Sequence, residues 1–250
     1  MRRKVAVMTM VLAMALSMVA CGGKDVGDVS GKITPVAGEE KEDATPTEAA
    51  GDTDETETTE GKQTSLGRVQ GGVYVNEYMG ISCALNSDWE FYTAEELQEF
   101  PKNVEELFAG TDAEDMMSDL QVITDMSAEN EALLATMNIQ YQKMGLQERL
   151  AMPSVSNSDI VNEMVTSQKD TLVATYAQAG INVHDMYKKT VTFCGEERAV
   201  LYMDCDVAGT PYYGIQVFDY TLGDYSVILT VTSFVEDKTE EVLKLFSKYE

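Results

Sequence analysis

The sequence predicts an α+β domain in which helices pack on both faces of an antiparallel sheet. The clearest sign is the last third of the chain, "HDMYKKTVTFCGEERAVLYMDCDVAGTPYYGIQVFDYTLGDYSVILTVTSF", which reads as four strands joined by tight Gly-containing turns. The second is the spread of apolar residues over that meander. Ala199, Leu201, Met203, Cys205, Ile215, Val217, Val227, Leu229 and Val231 are read on one face, and Val200, Tyr202, Tyr212, Phe218, Tyr220 and Ile228 on the other. A sheet wet on one side alternates cleanly. This one is apolar on one face and half apolar on the other, so both faces need cover. The third is a set of helix-period segments before and after the meander that can supply it.

Taken in order, "GGVYVNEYMGISCAL" alternates and gives two short strands around a turn. In "DWEFYTAEELQEF", Thr93 and Glu96 form a capping box that starts a helix near Ala94. Pro101 interrupts it, and Asn103 caps a further turn or two over "NVEELF". Strands follow around Leu120–Met126 and Thr136–Lys143. The longest helix is expected between Ser158 and Ala179, where Val161, Val165, Gln168, Leu172, Thr175 and Ala179 share a face beside Ile160, Met164 and Tyr176. Gly180 suits the position after its C-cap. After the meander, "DKTEEVLKLFSKY" closes the chain as a helix with Val242, Leu245, Phe246 and Tyr249 on one stripe. The order is ββ-α-ββ-α-ββββ-α, an α/β/α layered domain.

The phrase "YVNEYMGISCALNSDWEFYTAEEL" resembles the opening of PsbP-like domains: strand, turn, strand, then a Trp just before the first helix. The element order over Gly72–Tyr249 is similar to that family and to the related DcrB-type lipoproteins. The resemblance implies a PsbP-like α/β/α sandwich, a binding or assembly-accessory role and no catalysis. It transfers no functional residues.

Ahead of the domain, "MRRKVAVMTMVLAMALSMVACGGK" sets a basic start, Arg2, Arg3 and Lys4, before a sixteen-residue apolar run, Val5–Ala20. Spanning a bilayer takes about 20 apolar residues, so the layout is that of a secretory signal peptide. "SMVAC" followed by "GG" resembles the lipobox of bacterial lipoproteins. That resemblance implies a diacylglycerol thioether on Cys21, which becomes the mature N-terminus. Two acyl chains anchor stably where one does not. From Gly22 to Leu66 no aromatic residue occurs, and four Lys stand against twelve Asp/Glu, a net charge of −8. Such a stretch cannot bury enough apolar surface to fold. It is expected to act as a leash with an r.m.s. reach of roughly 35–40 Å. The expected divisions are 1–20, signal peptide; 21–66, lipidated cysteine and acidic tether; 67–250, globular domain. The expected location is extracytoplasmic, on the outer face of a bacterial cytoplasmic membrane or the cell surface.

The domain carries eleven Lys/Arg against thirty-one Asp/Glu, a net charge of −20. Phosphate backbones repel it, which excludes nucleic acid as a partner. The expected partners are the membrane, through the N-terminal lipid, and an envelope protein, a glycan or a lipid; a monomer is expected.

The residues that bear chemistry do not assemble into a known motif. Cys194 and Cys205 lie on two arms of one hairpin, roughly 26 Å apart at about 3.3 Å per residue, so they cannot pair. Only Cys83 can reach one of them, and Cys83 and Cys205 fall in phase with core residues; buried free thiols are the reading. The single histidine, His184, has no nucleophile signature near it and is read as a surface residue. A Cys₃His zinc site is excluded by the same hairpin. "TDAEDMMSD", Thr111–Asp119, lacks calcium-loop spacing, and Asp204 with Asp206 reads as a solvated strand face. Tyr202, Tyr212 and Tyr220 are read on the less apolar face, as packing residues or as a tentative ligand platform. No cofactor and no metal are expected. The leading function is a non-catalytic, lipid-anchored binding or assembly-accessory module of the envelope. The alternatives are an envelope hydrolase using Asp/Glu acid–base chemistry and a divalent-cation binder.

Overall fold

The alternating segments build two antiparallel sheets. In the structure, a computed structural model that describes residues 66–99, 109–110, 122–144, 155–219 and 225–249, strands β4 (Glu90–Phe91), β5 (Val122–Asn130), β6 (Ala135–Lys143), β7 (Ile181–Phe193), β8 (Glu196–Val207), β9 (Thr210–Asp219) and β10 (Tyr225–Phe234) form the larger sheet, in the order β4-β5-β6-β10-β9-β8-β7. The smaller sheet contains β1 (Arg68–Gln70), β2 (Val73–Asn76), β3 (Ile81–Ala84) and β11 (Phe246–Lys248), in the order β1-β2-β3-β11. Helix α1 starts at Ala94 and is described over 94–99. The others are α2 (Asn157–Thr166), α3 (Lys169–Gln178) and α4 (Thr239–Leu243). The expected capping box starts α1: the Thr93 amide donates to Glu96 Oε2 at 2.8 Å and the Glu96 amide to Thr93 Oγ1 at 3.3 Å.

The meander forms as expected, and its β7–β8 and β8–β9 hairpin turns have two residues each. Cys194 and Gly195 take φ of 49° and 80°, and Ala208 and Gly209 take 51° and 80°. Left-handed conformation at both central residues is what a type I′ hairpin needs, and glycine takes the second place without strain. A two-residue turn has a consequence for facing. It pairs Val207 with Thr210, and so Cys205 with Tyr212 and Tyr202 with Ile215. The phase within each strand is as expected, but β8 sits one face over relative to β9 and β10. Leu201, Met203 and Cys205 therefore share a face with Tyr212, Phe218 and Ile228. Val200 and Tyr202 share the other with Ile215, Val217, Leu229 and Val231.

Helices cover both faces, as the α+β reading requires. On one face Val161 and Met164 of α2 and Leu172 and Tyr176 of α3 pack on Leu201, Met203 and Cys205. On the other, Val242 and Leu243 of α4 are joined by Tyr74, Ile81, Cys83 and Phe246 of the smaller sheet. That sheet is the layer the periodicity did not show. Its fourth strand comes from the expected closing helix. Phe246, Ser247 and Lys248 pair with Cys83, Ser82 and Ile81, so α4 ends at Leu243 and tertiary pairing overrides helical period. The long helix is also two. Thr166 Oγ1 donates to the Asn162 carbonyl at 2.8 Å, a back-bond that bends helices. Lys169 then reaches across to the Met186 carbonyl at 2.9 Å. The signal peptide, Cys21, the tether, the helical turn at Asn103, the 111–119 acidic stretch and Tyr220 lie outside the described residues.

Candidate functional site

A cleft of about 220 Å³ opens at one end of the larger sheet. Three segments far apart in the chain make it. The first is the loop after β3. The Leu85 amide donates to the Gly72 carbonyl at 2.9 Å, fixing the loop's start. Asn86 Oδ1 then accepts from the Asp88 amide at 3.2 Å, and the Asn86 amide group donates to Asp88 Oδ2 at 3.3 Å. An Asx side chain bonded two residues on is a turn in its own right, and Trp89, whose amide donates to the Asn86 carbonyl at 3.2 Å, follows it and lines the cleft. The second segment is the β5–β6 turn. Buried Asn130 accepts from the Leu133 amide at 2.9 Å, and Leu134 takes φ 49°; Leu133 forms part of the floor. The third is α4 and the residues after it, which supply Glu241, Val242 and Leu245.

The cleft thus has an aromatic wall, Trp89, an apolar floor, Leu133, Val242 and Leu245, and an acidic and amide rim, Asp88, Glu241, Asn86 and Asn130. No basic side chain lines it among the described residues. Cavities of about 150 Å³ hold a benzene ring, so this volume seats one ring or one long side chain. Trp89 is the chain's only tryptophan.

Helix α4 is held in place by a polar cluster beneath it, and here the expected tyrosines divide. Tyr202 donates its hydroxyl to Asp237 Oδ2 at 2.7 Å. Asp237 also accepts from the Thr239 hydroxyl at 2.6 Å and the Thr239 amide at 3.0 Å, which fastens the start of α4. Burial pushes the Asp237 carboxyl up, but the Thr239 and Tyr202 donors and nearby Lys189 outweigh it and hold the group below its ordinary value. The Tyr202 ring lies 5.0 Å from Tyr187 and 4.7 Å from the Lys189 ammonium. Tyr202 is buried, with its hydroxyl on the carboxylate that fastens the start of α4. Tyr212 lies on the opposite face, fully buried, 4.7 Å from Phe234. The two do not form a row, because the two-residue turn at Ala208–Gly209 offsets their strands.

The other expected residues fall as follows. Cys83, Cys194 and Cys205 are free thiols. Cys83 and Cys205 are buried on opposite sides of the larger sheet, and burial pushes each up to about 12. His184 is exposed and its Nε2 lies 2.9 Å from Asp206. Among the described residues no group of His, Cys, Asp and Glu is placed to hold a metal. Sequence reasoning missed a second buried polar cluster. Asp125 sits where the β5–β6 register shifts between Thr124 and Met126. It accepts from Tyr74 at 2.6 Å, Asn76 at 2.8 Å and the Gly67 amide at 2.8 Å, while Asn76 also donates to the Tyr141 hydroxyl at 2.7 Å. Burial raises the Asp125 carboxyl despite these donors. A bulge re-aims a side chain, and no periodicity in "VITDMSAEN" announces one.

No protein-family model and no curated protein matches the sequence. Among solved structures, the chain is similar to cyanobacterial PsbP (CyanoP) from Synechocystis sp. PCC 6803, with 9% identity and a TM-score of 0.39 over 76% of this chain and 100% of that one. The α+β assignment stands on the strand order and layers described above.

Proposed function

We propose that the chain is a lipid-anchored, non-catalytic binding module of the bacterial envelope, which seats a cationic side chain of a partner protein in the Trp89 cleft. The observation that carries this reading is the cleft's composition. An aromatic face attracts a cation, an apolar floor suits a methylene stem, and Asp88 and Glu241 supply the opposite charge at the rim. The domain's net charge of −20 draws such a partner in. The leader and lipobox-like "SMVAC" support the anchor.

Trp89 reports on its own site. Titrating the full chain with N-acetyl-lysine methylamide is expected to change Trp89 fluorescence saturably. Glu241→Gln or Asp88→Asn should each weaken the response about threefold, the scale of one exposed charge pair. A saturable response to calcium alone would favour the divalent-cation binder instead. Turnover of model glycosides or peptides that is lost in Asp88→Asn would favour the hydrolase. Mass spectrometry of membrane-extracted protein tests the anchor: an N-terminus that retains Met1 defeats it.

A further inference from the structure

Strand β7 is thirteen residues long and ends the larger sheet; among the described residues β8 is its one strand partner. An edge of that length is a template for another strand unless it is blocked. Its first half is blocked. The register shifts between Val183 and Asp185, and at Met186 both backbone groups that turn away from β8 are taken. The Met186 amide donates to Asp185 Oδ1 at 2.8 Å, and its carbonyl accepts from Lys169 Nζ at 2.9 Å. The second half is open. Pairing with β8 is regular from Asp185 to Phe193, and in an antiparallel strand the backbone groups turn to one side and then the other at alternate residues. Met186 turns outward, so Lys188, Thr190 and Thr192 do too. All three are exposed, and among the described residues nothing bonds to their outward amides and carbonyls. The two lysines that would screen this edge are turned onto the sheet faces. Lys188 Nζ lies 3.3 Å from Ser158 Oγ of α2, and Lys189 Nζ lies 2.5 Å from Glu240 Oε1 of α4.

The strand that fits this edge is a second copy of itself. Set antiparallel and centred on Thr190, the two strands place Lys188 opposite Thr192 and Lys189 opposite Val191 in both directions. Lys188, Thr190 and Thr192 then all pair through their outward groups, and Thr190 meets Thr190, a favourable cross-strand pair. Other registers do worse. Centring on Lys188 or Lys189 sets like charges face to face, which is destabilising, and brings the capped Met186 into the ladder. Centring on Val191 pairs Thr190 with Thr192 but leaves Lys188 opposite the Cys194–Gly195 turn. Charge supports the same occupant. The segment from Met186 to Phe193 contains two lysines and no carboxylate, so each copy brings a basic strand to a body of net charge −20. We infer that two copies of this chain join through their β7 edges, centred on Thr190, into one sheet continuous across the pair, in place of the monomer expected from the sequence.

The test is sedimentation of the full chain in mild detergent over a concentration series. The wild type is expected to move to twice its mass as concentration rises. Thr190→Pro removes an outward donor from each copy at an edge position, where proline is tolerated, and should weaken the dimer about tenfold through the lost hydrogen bonds. Thr190→Lys sets two ammonium groups face to face and should do the same; the site is exposed, so this variant repeats the test should the proline variant not fold. A short bismaleimide reads the register. Thr190→Cys should crosslink into a dimer, because facing Cα atoms of such a pair are about 5.5 Å apart. Lys188→Cys, displaced by four residues or about 14 Å along the strands, should crosslink no more than the wild type with its native thiols. A wild type that stays at the mass of one chain at every concentration overturns the inference, and an acidic strand peptide that then binds the edge would name a different partner. A dimer that persists unchanged in both Thr190 variants, or that crosslinks equally at Lys188→Cys, also overturns it, since the copies then meet elsewhere or in another register. Neither outcome alters the lysine response expected of the Trp89 cleft.

Discussion

Two halves of one sheet face are buried under the same side of the molecule and are built on opposite principles. Over β7 and β8, Leu201, Met203 and Cys205 meet Val161, Met164, Leu172 and Tyr176. There the stabilisation is apolar burial, about 1.5–3 kcal/mol for each large side chain. Over β5, β6 and β10, the corresponding rows are Ser127, Asn138, Thr230 and Thr136 with Thr232. Little is gained there by desolvation: Thr136 with Thr232 and Gln216 with Thr230 are joined by hydrogen bonds worth about 0.5–1.5 kcal/mol each, while the Asn138 amide is buried without a partner. The difference teaches where this fold gets its stability and where it has room for specificity. The half under α2 and α3 is expected to set the stability, and the polar half to be the more tolerant of substitution.

The largest expected effect tests that division directly. Leu201→Ala should cost about 2–5 kcal/mol, because it opens a cavity in a region whose partners are fixed on two helices and three strands. Asn138→Leu, in the same register neighbourhood, should cost nothing or stabilise. Equal losses in chemical denaturation of the two variants would break the comparison, and would mean that Asn138 makes contacts as valuable as those of Leu201.

A smaller effect sharpens it on the other face, where a buried polar cluster is fully engaged. Tyr74→Phe removes a 2.6 Å donor from Asp125 and should cost about 1–3 kcal/mol. The cluster also carries a pH signature. Asp125 titrates above its ordinary value near 3.8 when folded. Its contribution is therefore fully present below that ordinary value and is lost as pH rises through the folded one. Relative to Asp125→Asn, the wild type should gain stability as pH falls from neutral toward about 3.8. Asp237, held below its ordinary value, works in the opposite sense and loses its contribution at lower pH still. A difference between wild type and Asp125→Asn that is flat with pH would show that the donors offset burial completely.

Part of this was legible in the chain. The meander, its alternation, the capping box at Thr93 and Glu96 and the α+β class follow from local pattern, because period 2 and period 3.6 are set by backbone geometry. The relative facing of strands is not local. It depends on the two residues of each turn, and "DVAGTP" contains the information: two left-handed residues at Ala208 and Gly209 pair Val207 with Thr210 and swap the face. Counting through that turn would have separated Tyr202 from Tyr212. The cleft lies beyond such counting, since Trp89, Leu133 and Val242 meet only through sheet order. The closing strand was hidden for the same reason. Val242, Leu245 and Phe246 have helical spacing, and only the open edge of β3 turns Phe246–Lys248 into β11.

The smallest expected effect concerns the link between the sheet and the cleft. Tyr202 is nearly buried under α4, and its hydroxyl donates to the carboxylate that also receives Thr239. Removing only that oxygen in Tyr202→Phe leaves the ring's packing against Tyr187 and Lys189 in place. The loss should be about 1 kcal/mol, that of one hydrogen bond to a charged acceptor at a partly wet site. Its informative readout is Trp89. Glu241, Val242 and Leu245 line the cleft from α4 and the residues that follow it, so a loosened α4 should weaken the lysine response by more than the loss of stability alone explains at temperatures where the variant is fully folded. If Tyr202→Phe lowers the melting temperature and leaves the Trp89 titration unchanged, α4 is positioned by Val242 and Leu243 in the core, and the polar cluster serves stability only.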